Sequence, residues 1–397
     1  MVGEMTDERG PFTDTEVAST VPPSVTVVAH DVGTPGGMER QLAELCTGLL
    51  TRGYRVTVIA RRCELAAHPR LRFVPVRGPR RPFSLAYPAF LVLGSLAVLR
   101  WREGIVHATG AIVLNRADVV TVHFCHHGYR AAGAAPQTSR PGLTHRANAA
   151  IAAWMSRAAE RFCYRPRRAR QIVAVSGGVA CELERFFPAA AAGVAVIPNG
   201  VDTREFSPHP SARAELRAQL GIATEDLVVL FVGGDWERKG LRVAIEAVAR
   251  TAAWRLLVVG RGDEARYRAI AEREGIAGMV HFAGPTDAPA RHFAAADAFV
   301  LPTLYEAFAL VTLEAAAASL PLLVTRVNGT AELVRDGVNG WLVERDAQAI
   351  AQRLDELRED PQLRATMGRA ARASAERYGW ESVVESFAAL YGRLATR

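Results

Sequence analysis

Short segments that are apolar at nearly every position, each followed by a stretch of helical period, constrain this chain more than any other feature. SVTVVAH (24–30), YRVTVIA (54–60), RLRFVPV (70–76), GIVHATG (104–110), ADVVTVHF (117–124), QIVAVSG (171–177) and VAVIPNG (194–200) read as strands. The series restarts with DLVVLFVGG (226–234), WRLLVVGRG (254–262), VHFAG (280–284), AFVLPT (298–303) and PLLVT (321–325). Strands with no polar alternation are buried on both faces, the pattern of a parallel sheet clothed by helices. Two such series predict two doubly wound α/β domains, divided near PNGVDTREFSPHP, where Pro, Asn, Gly and Asp crowd together. The 397 residues are ample for two cores. Ligands of such sheets bind beyond the carboxyl ends of the strands, so a cleft between the domains is the expected site.

Charge is placed unevenly. Residues 1–23 hold five acids, one Arg and no structural period, and are expected to be a disordered tail. Residues 24–205 carry a surplus of 13 positive charges, whereas 206–397 carry two more acids than bases. The first domain therefore faces something anionic. Nucleic acid is not the expected partner, because the arginines come without interleaved aromatics or a recognisable binding module. A membrane surface or a phosphorylated acceptor fits better. The segment 83–99 has 17 residues without a charge, between Arg80, Arg81 and Arg100, Arg102. It falls short of the roughly 20 residues of a spanning helix and reads first as a buried or groove-lining helix, second as one resting in a membrane interface. The Arg-rich 157–170 reads as a solvated face that could add to peripheral membrane contact. The five cysteines are scattered with no CxxC, and no signal peptide is evident, which together point to a reducing cytoplasm.

Of the 48 basic residues only Lys239 is a lysine. It stands in VGGDWERKG (232–240), where Gly233 and Gly234 end a strand and Arg238 and Lys239 are expected to open a helix. Glycine admits a close ligand, helix-start amides attract phosphate, and two cations complete a diphosphate site. In LPTLYEAFALVTLEAAAASLP (301–321), Glu306 falls in a loop and Glu314 eight residues on, inside an apolar helix where an unpaired charge is costly. Paired carboxylates at that separation suit the two ends of an extended, hydroxyl-rich ligand. Gly36 and Gly37 open a helix after the first strand without the GK[ST] of a P-loop. His123, in VHFCHHGY (122–129), ends a strand; a metal site there lacks a fourth ligand motif, and a substrate-facing histidine is the better reading. VVGRGDEA (258–265) imitates a dinucleotide fingerprint but is a weak, lone match. No DxD pair occurs.

Read in order, these motifs, with VIPNGVD (196–202) and NGTAELVRDGVNGWLV (328–343), resemble the retaining glycosyltransferases of the GT-B fold, family 4 (glycosyl transferases group 1). The resemblance runs from about 24 to 395. It implies two Rossmann-like domains with an interdomain cleft: an acceptor-binding domain over 24–205, a nucleotide-sugar donor domain over 206–378, and a last helix over 379–397, including Trp380, that crosses back. It implies that Lys239 and Arg238 hold the donor diphosphate, Glu306 the sugar hydroxyls and Glu314 the ribose. Gly36, Gly37, Gly233, Gly234 and the backbone of Phe308, Ala309 and Leu310 would line the donor, with His123 near the anomeric centre. The nucleotide-sugar is then a UDP- or GDP-sugar co-substrate, no divalent metal is required, and the acceptor is an envelope lipid, a glycan or a small metabolite. The place of work would be the cytoplasm, against the inner face of the plasma membrane where that contact is made. Retention is explained in that family by a front-face reaction in which the leaving diphosphate helps take the acceptor proton. Three positions depart from its pattern: Gly234 where Arg is common, and Ala309 and Ser319 where Gly is common. A sugar-nucleotide epimerase or phosphorylase on the same fold, and a nucleotide-sugar-binding scaffold without turnover, are the alternative readings.

Overall fold

The computed structural model describes residues 23–33, 36–133, 143–191, 193–251 and 253–396. All but the last residue of the expected tail lies outside them. The first domain is a seven-stranded parallel sheet of β1 (Ser24–Val28), β2 (Arg55–Ala60), β3 (Leu71–Pro75), β4 (Ile105–Thr109), β5 (Ala117–Val122), β6 (Ala169–Ala174) and β7 (Ala195–Val196), in the order β3-β2-β1-β4-β5-β6-β7. The second is a six-stranded parallel sheet of β8 (Leu227–Val232), β9 (Trp254–Val259), β10 (Val280–Gly284), β11 (Ala298–Leu301), β12 (Leu322–Thr325) and β13 (Gly340–Val343), in the order β10-β9-β8-β11-β12-β13. Both orders reverse between the first and fourth strands, the switch point at which open α/β sheets bind ligands. The central strands are apolar and buried, as Val25, Val27 and Val28 in β1 and Val228 to Phe231 in β8 show.

Within these two sheets, two strands differ from the sequence expectation. β13 was not anticipated: it is four residues long and follows a tight turn in which Asp336 accepts from the amide of Leu342 (2.8 Å). Gly340, at φ 155°, allows the approach, because a Cβ there would run into the Leu322 backbone. β7 is shorter than expected, since Pro198 offers no N–H to the ladder and Gly200 packs under Trp380, where a Cβ would lie 2.5 Å from the indole.

Helix α1 (Gly37–Thr51) covers one side of the first sheet together with the final helix, α7 (Trp380–Ala395). Val383, Val384, Phe387, Leu390, Tyr391 and Leu394 complete the core built by Val25, Val27, Leu42, Leu45 and Leu49. The buried His107 is fixed between the Tyr391 hydroxyl (2.7 Å) and Thr121 (2.6 Å). Helix α2 (Phe83–Trp101) is only partly buried and lines a groove, where Tyr87, Pro88 and Leu91 face Trp154 and Phe162, so of the two expectations the groove-lining one describes it. Ala86, Tyr87, Phe90, Gly94 and Val98 pack inward, while Leu85 and Leu99 are 60% and 66% exposed. With Val92 and Leu96, and with Ile151 and Trp154 of α3 (Leu143–Cys163), they form an apolar stripe on the surface. Among the described residues α2 is also the one helix long and apolar enough to cross a membrane.

Candidate functional site

Loops at the carboxyl ends of β1, β5, β8 and β11 converge between the domains. After β8 the chain turns at Gly233, whose φ of 140° suits glycine and whose absent Cβ leaves room for Lys239; a Cβ would sit 2.6 Å from Lys239 Cδ. Gly234 has no such constraint, for a Cβ there would stand 3.6 Å from the Arg261 carbonyl, so a side chain fits. Asp235 (φ 48°) caps a single turn, α5 (Trp236–Lys239), and buried Trp236 anchors it through Nε1–H to the Gly233 carbonyl (2.8 Å). Arg238 and Lys239 therefore end a short turn ahead of the helix Leu241–Ala249, not open a long one, because Gly240 at φ 85° breaks the two apart. The dinucleotide-like glycines serve this same loop: a Cβ on Gly262 would strike the Trp236 ring.

The two cations meet Glu306. Lys239 Nζ and Arg238 Nη1 each donate to Glu306 Oε1 at 2.8 Å, and Arg238 also holds Asp235 Oδ2 (2.9 Å) and the Tyr305 carbonyl. Burial works against the Glu306 charge, but Lys239 and then Arg238 outweigh it and hold the carboxyl below its ordinary range. The sequence reading gave the cations and Glu306 separate partners; in the structure they engage one another.

Glu314 lies on α6 (Leu310–Ala317), 8% exposed. Burial pushes its carboxyl up to about 7 against the pull of Arg40, whose Nη1 lies 3.3 Å from Oε1. Arg40 comes from α1 and also pairs with Glu205. Helices α1 and α6 both begin without a side-chain cap, at Gly36 and Ala309, and they begin facing each other: a Cβ on Gly37 would lie 3.1 Å from Leu310 Cδ1. Two partly positive helix ends thus point into one gap. Phe308 is wedged beside them under Gly329. His123 follows β5, its Nε2 buried without a partner, and burial drops it to about 4, leaving a neutral imidazole. His126 and His127, the residues of the weaker metal reading, turn instead to Glu160. Among the described residues no group of three or more His, Cys, Asp or Glu forms a metal site.

Residues that sequence reasoning passed over tie the domains at this point. The Tyr305 hydroxyl donates to Glu182 (2.8 Å), which also accepts from Asn328 (2.8 Å), and Ser176 donates to the Ala307 carbonyl (2.8 Å). Glu332 accepts from the amides of Gly177 and Gly178 (3.1 Å each), the start of helix α4 (Gly177–Phe186). The loop bearing Glu306 is therefore held on both flanks by the first domain. Adjacency of Tyr305 to Glu306, and of Arg40 to the Gly36–Gly37 turn, was the available signal.

Comparison with known proteins follows this geometry. A family model described as Glycosyl transferases group 1 matches residues 212–374, and one described as Glycosyltransferase Family 4 matches residues 35–205. A D-inositol 3-phosphate glycosyltransferase of Acidothermus cellulolyticus is 32% identical over 90% of this chain and 86% of its own length. One from Streptomyces griseus is 33% identical over 56% of this chain, and the match spans only 53% of that relative. Among solved structures, WaaG, a glycosyltransferase involved in lipopolysaccharide biosynthesis, superposes with a TM-score of 0.78 at 21% identity, over 92% of this chain and 99% of its own. Anabaena Alr3699/HepE in complex with UDP-glucose gives 0.72 at 20% identity, over 93% and 99%.

Proposed function

This chain belongs to the family of glycosyl transferases group 1, and from that premise we propose that it moves a hexose from a nucleotide diphosphate to an acceptor hydroxyl, with retention and without a divalent metal. The observation that carries the reading is the cluster of Lys239, Arg238 and Glu306 beside two uncapped helix starts that face each other. A diphosphate supplies the negative charge this gap favours. It would take the two cations and the amides at Gly37 and Phe308–Leu310, freeing Glu306 to accept hydrogen bonds from the sugar hydroxyls. Glu314 would exchange Arg40 for the ribose hydroxyls, and neutral His123 would present its free nitrogen to the sugar. As the glycosidic bond breaks, charge grows on the departing phosphate, where Lys239, Arg238 and the helix ends are already aimed.

Among donors, the likeness to a structure holding UDP-glucose supports a UDP-sugar ahead of a GDP-sugar. The basic first domain and the apolar stripe on α2 and α3 support work against an anionic membrane surface on the cytoplasmic side, which co-sedimentation with phosphatidylglycerol vesicles checks. Thermal shift with UDP, GDP, ADP and dTDP, each with and without EDTA, tests the donor half. A ligand at about 100 times its dissociation constant adds roughly 2.7 kcal/mol, and one metal-independent winner is expected. No stabilisation by any of the four, or tight binding without sugar release or transfer, overturns the reading in favour of a binding scaffold.

A further inference from the structure

Between β11 and α6 three consecutive residues, Tyr305, Glu306 and Ala307, answer to different domains. Glu306 turns to Lys239 and Arg238 of the second domain. Tyr305 turns the other way. Its ring, 3% exposed, stands edge-on to Phe124, with ring centres 5.1 Å apart, and to Tyr129, at 5.5 Å, both in the first domain. Its hydroxyl donates to Glu182 Oε2 (2.8 Å) and accepts from the Cys125 amide (3.4 Å). Ala307 is tied to the same domain, since its carbonyl accepts from Ser176 Oγ (2.8 Å). Glu182 is itself fixed. Its other oxygen accepts from Asn328 (2.8 Å), and its carboxyl lies against Gly128, where a Cβ would run into Cδ. Both its oxygens accept, the hydrogen-bonding pattern of an ionised carboxylate.

The sequence Tyr-Glu-Ala thus carries a carboxylate held by cations between two neighbours held by the first domain. A diphosphate that takes Lys239 and Arg238 removes the partners that fix Glu306 in the empty site. What then keeps the peptide at 306 in place are the ties at 305 and 307. Precision matters at such a point, because a group displaced by about 1 Å can cost on the order of 100-fold in rate.

We propose that Tyr305 is a positioning residue: anchored on Glu182, it holds Glu306 in line for the sugar hydroxyls once the diphosphate has taken the two cations. Glu182 acts through Tyr305 and is not asked to touch the donor. The inference rests on the glycosyl-transfer reading above and adds to it the first domain's share in aiming the sugar-binding carboxylate.

The test is hydrogen exchange of the segment 303–309, read by mass spectrometry on the full chain, empty and saturated with UDP. Tyr305→Phe keeps the ring and loses the hydroxyl. Its exchange should match wild type without UDP, where the cations still hold Glu306, and exceed wild type about tenfold with UDP bound, the scale of one hydrogen bond to a charged group. Glu182→Ala should do the same, and the double substitution should do no more than either alone. Glu182→Gln, whose carbonyl still accepts from the hydroxyl, should return most of the protection. By calorimetry, UDP affinity should stay within about twofold of wild type in all of these variants, while affinity for UDP-glucose falls about fivefold in Tyr305→Phe. A tyrosine of structural value alone would raise exchange equally with and without UDP and lower the melting temperature. That result overturns the assignment, as does additive behaviour of the two substitutions. Failure of wild type to bind UDP would instead overturn the donor reading.

Discussion

Replacing Glu314 by Gln should abolish one source of stability loss with rising pH, and the size of the effect follows from burial. The carboxyl sits 8% exposed on α6, with a single arginine 3.3 Å away to offset the loss of water, and burial lifts it from the ordinary 4.5 to about 7. A raised carboxyl binds its proton more tightly in the native than in the unfolded chain. Its contribution is therefore present in acid and is lost as pH rises from 4.5 towards 7, the range in which the native state alone keeps the proton. At about 1.36 kcal/mol per unit, full ionisation costs roughly 3 kcal/mol, of which about 2 kcal/mol falls between pH 5.5 and 8. Gln keeps the shape and never ionises, so Glu314→Gln should be less stable than or equal to wild type at pH 5.5 and gain about 2 kcal/mol on it by pH 8. Urea unfolding of both proteins at four pH values, followed by tryptophan fluorescence, measures the difference while other titrating groups cancel. Parallel curves would refute the burial argument. A wild type that gains on the variant with rising pH would show that Arg40 wins over desolvation.

Lys239→Ala should leave the fold intact, because Arg238 still holds Glu306, and lower kcat/KM with the preferred donor by about 100-fold in a steady-state assay, the scale of one lost charge-stabilising group. Ser319 is one of two non-glycine residues with positive φ (62°) among those described, so Ser319→Gly should raise stability by about 0.5–1 kcal/mol in denaturant unfolding. Tyr391→Phe strips His107 Nδ1 of its buried partner and should cost about 1–3 kcal/mol by the same measurement.

Local units were legible in the sequence. The strands could be read because burial on both faces writes an unbroken apolar run, and Glu306 with Glu314 stood out because loop and helix are contiguous. Lys239 stood out by scarcity. What could not be read were the partners: Arg40 reaches Glu314 across 274 positions and Lys239 reaches Glu306 across 67, distances set by how two sheets place their loops. Arg238 was misplaced at a helix opening because Asp235 and Gly240 divide the segment, a break that Gly240 alone only hinted at. For α2 composition was uninformative about facing: apolar residues occur all round it, and only the packing of Phe90 and Val98 decides which side is covered. β13 is as short as β11 and β12, but the turn residues of RDGVNG run straight into GWLV and hid it.

The docking of α7 on the first domain has a consequence for how this protein comes into being. Residues that seal the trough between β1 and α1 come from Trp380–Ala395, and the whole second sheet is made between that trough and its seal. At about 5–20 residues per second, roughly 10–40 s pass between completion of the first sheet and arrival of Phe387 and Tyr391. For that interval the nascent domain shows water an apolar groove lined by Val25, Val27, Leu42 and Leu45. The half of the molecule made first is thus the half finished last, and a first domain expressed without the final helix should need that helix supplied in trans to stay soluble.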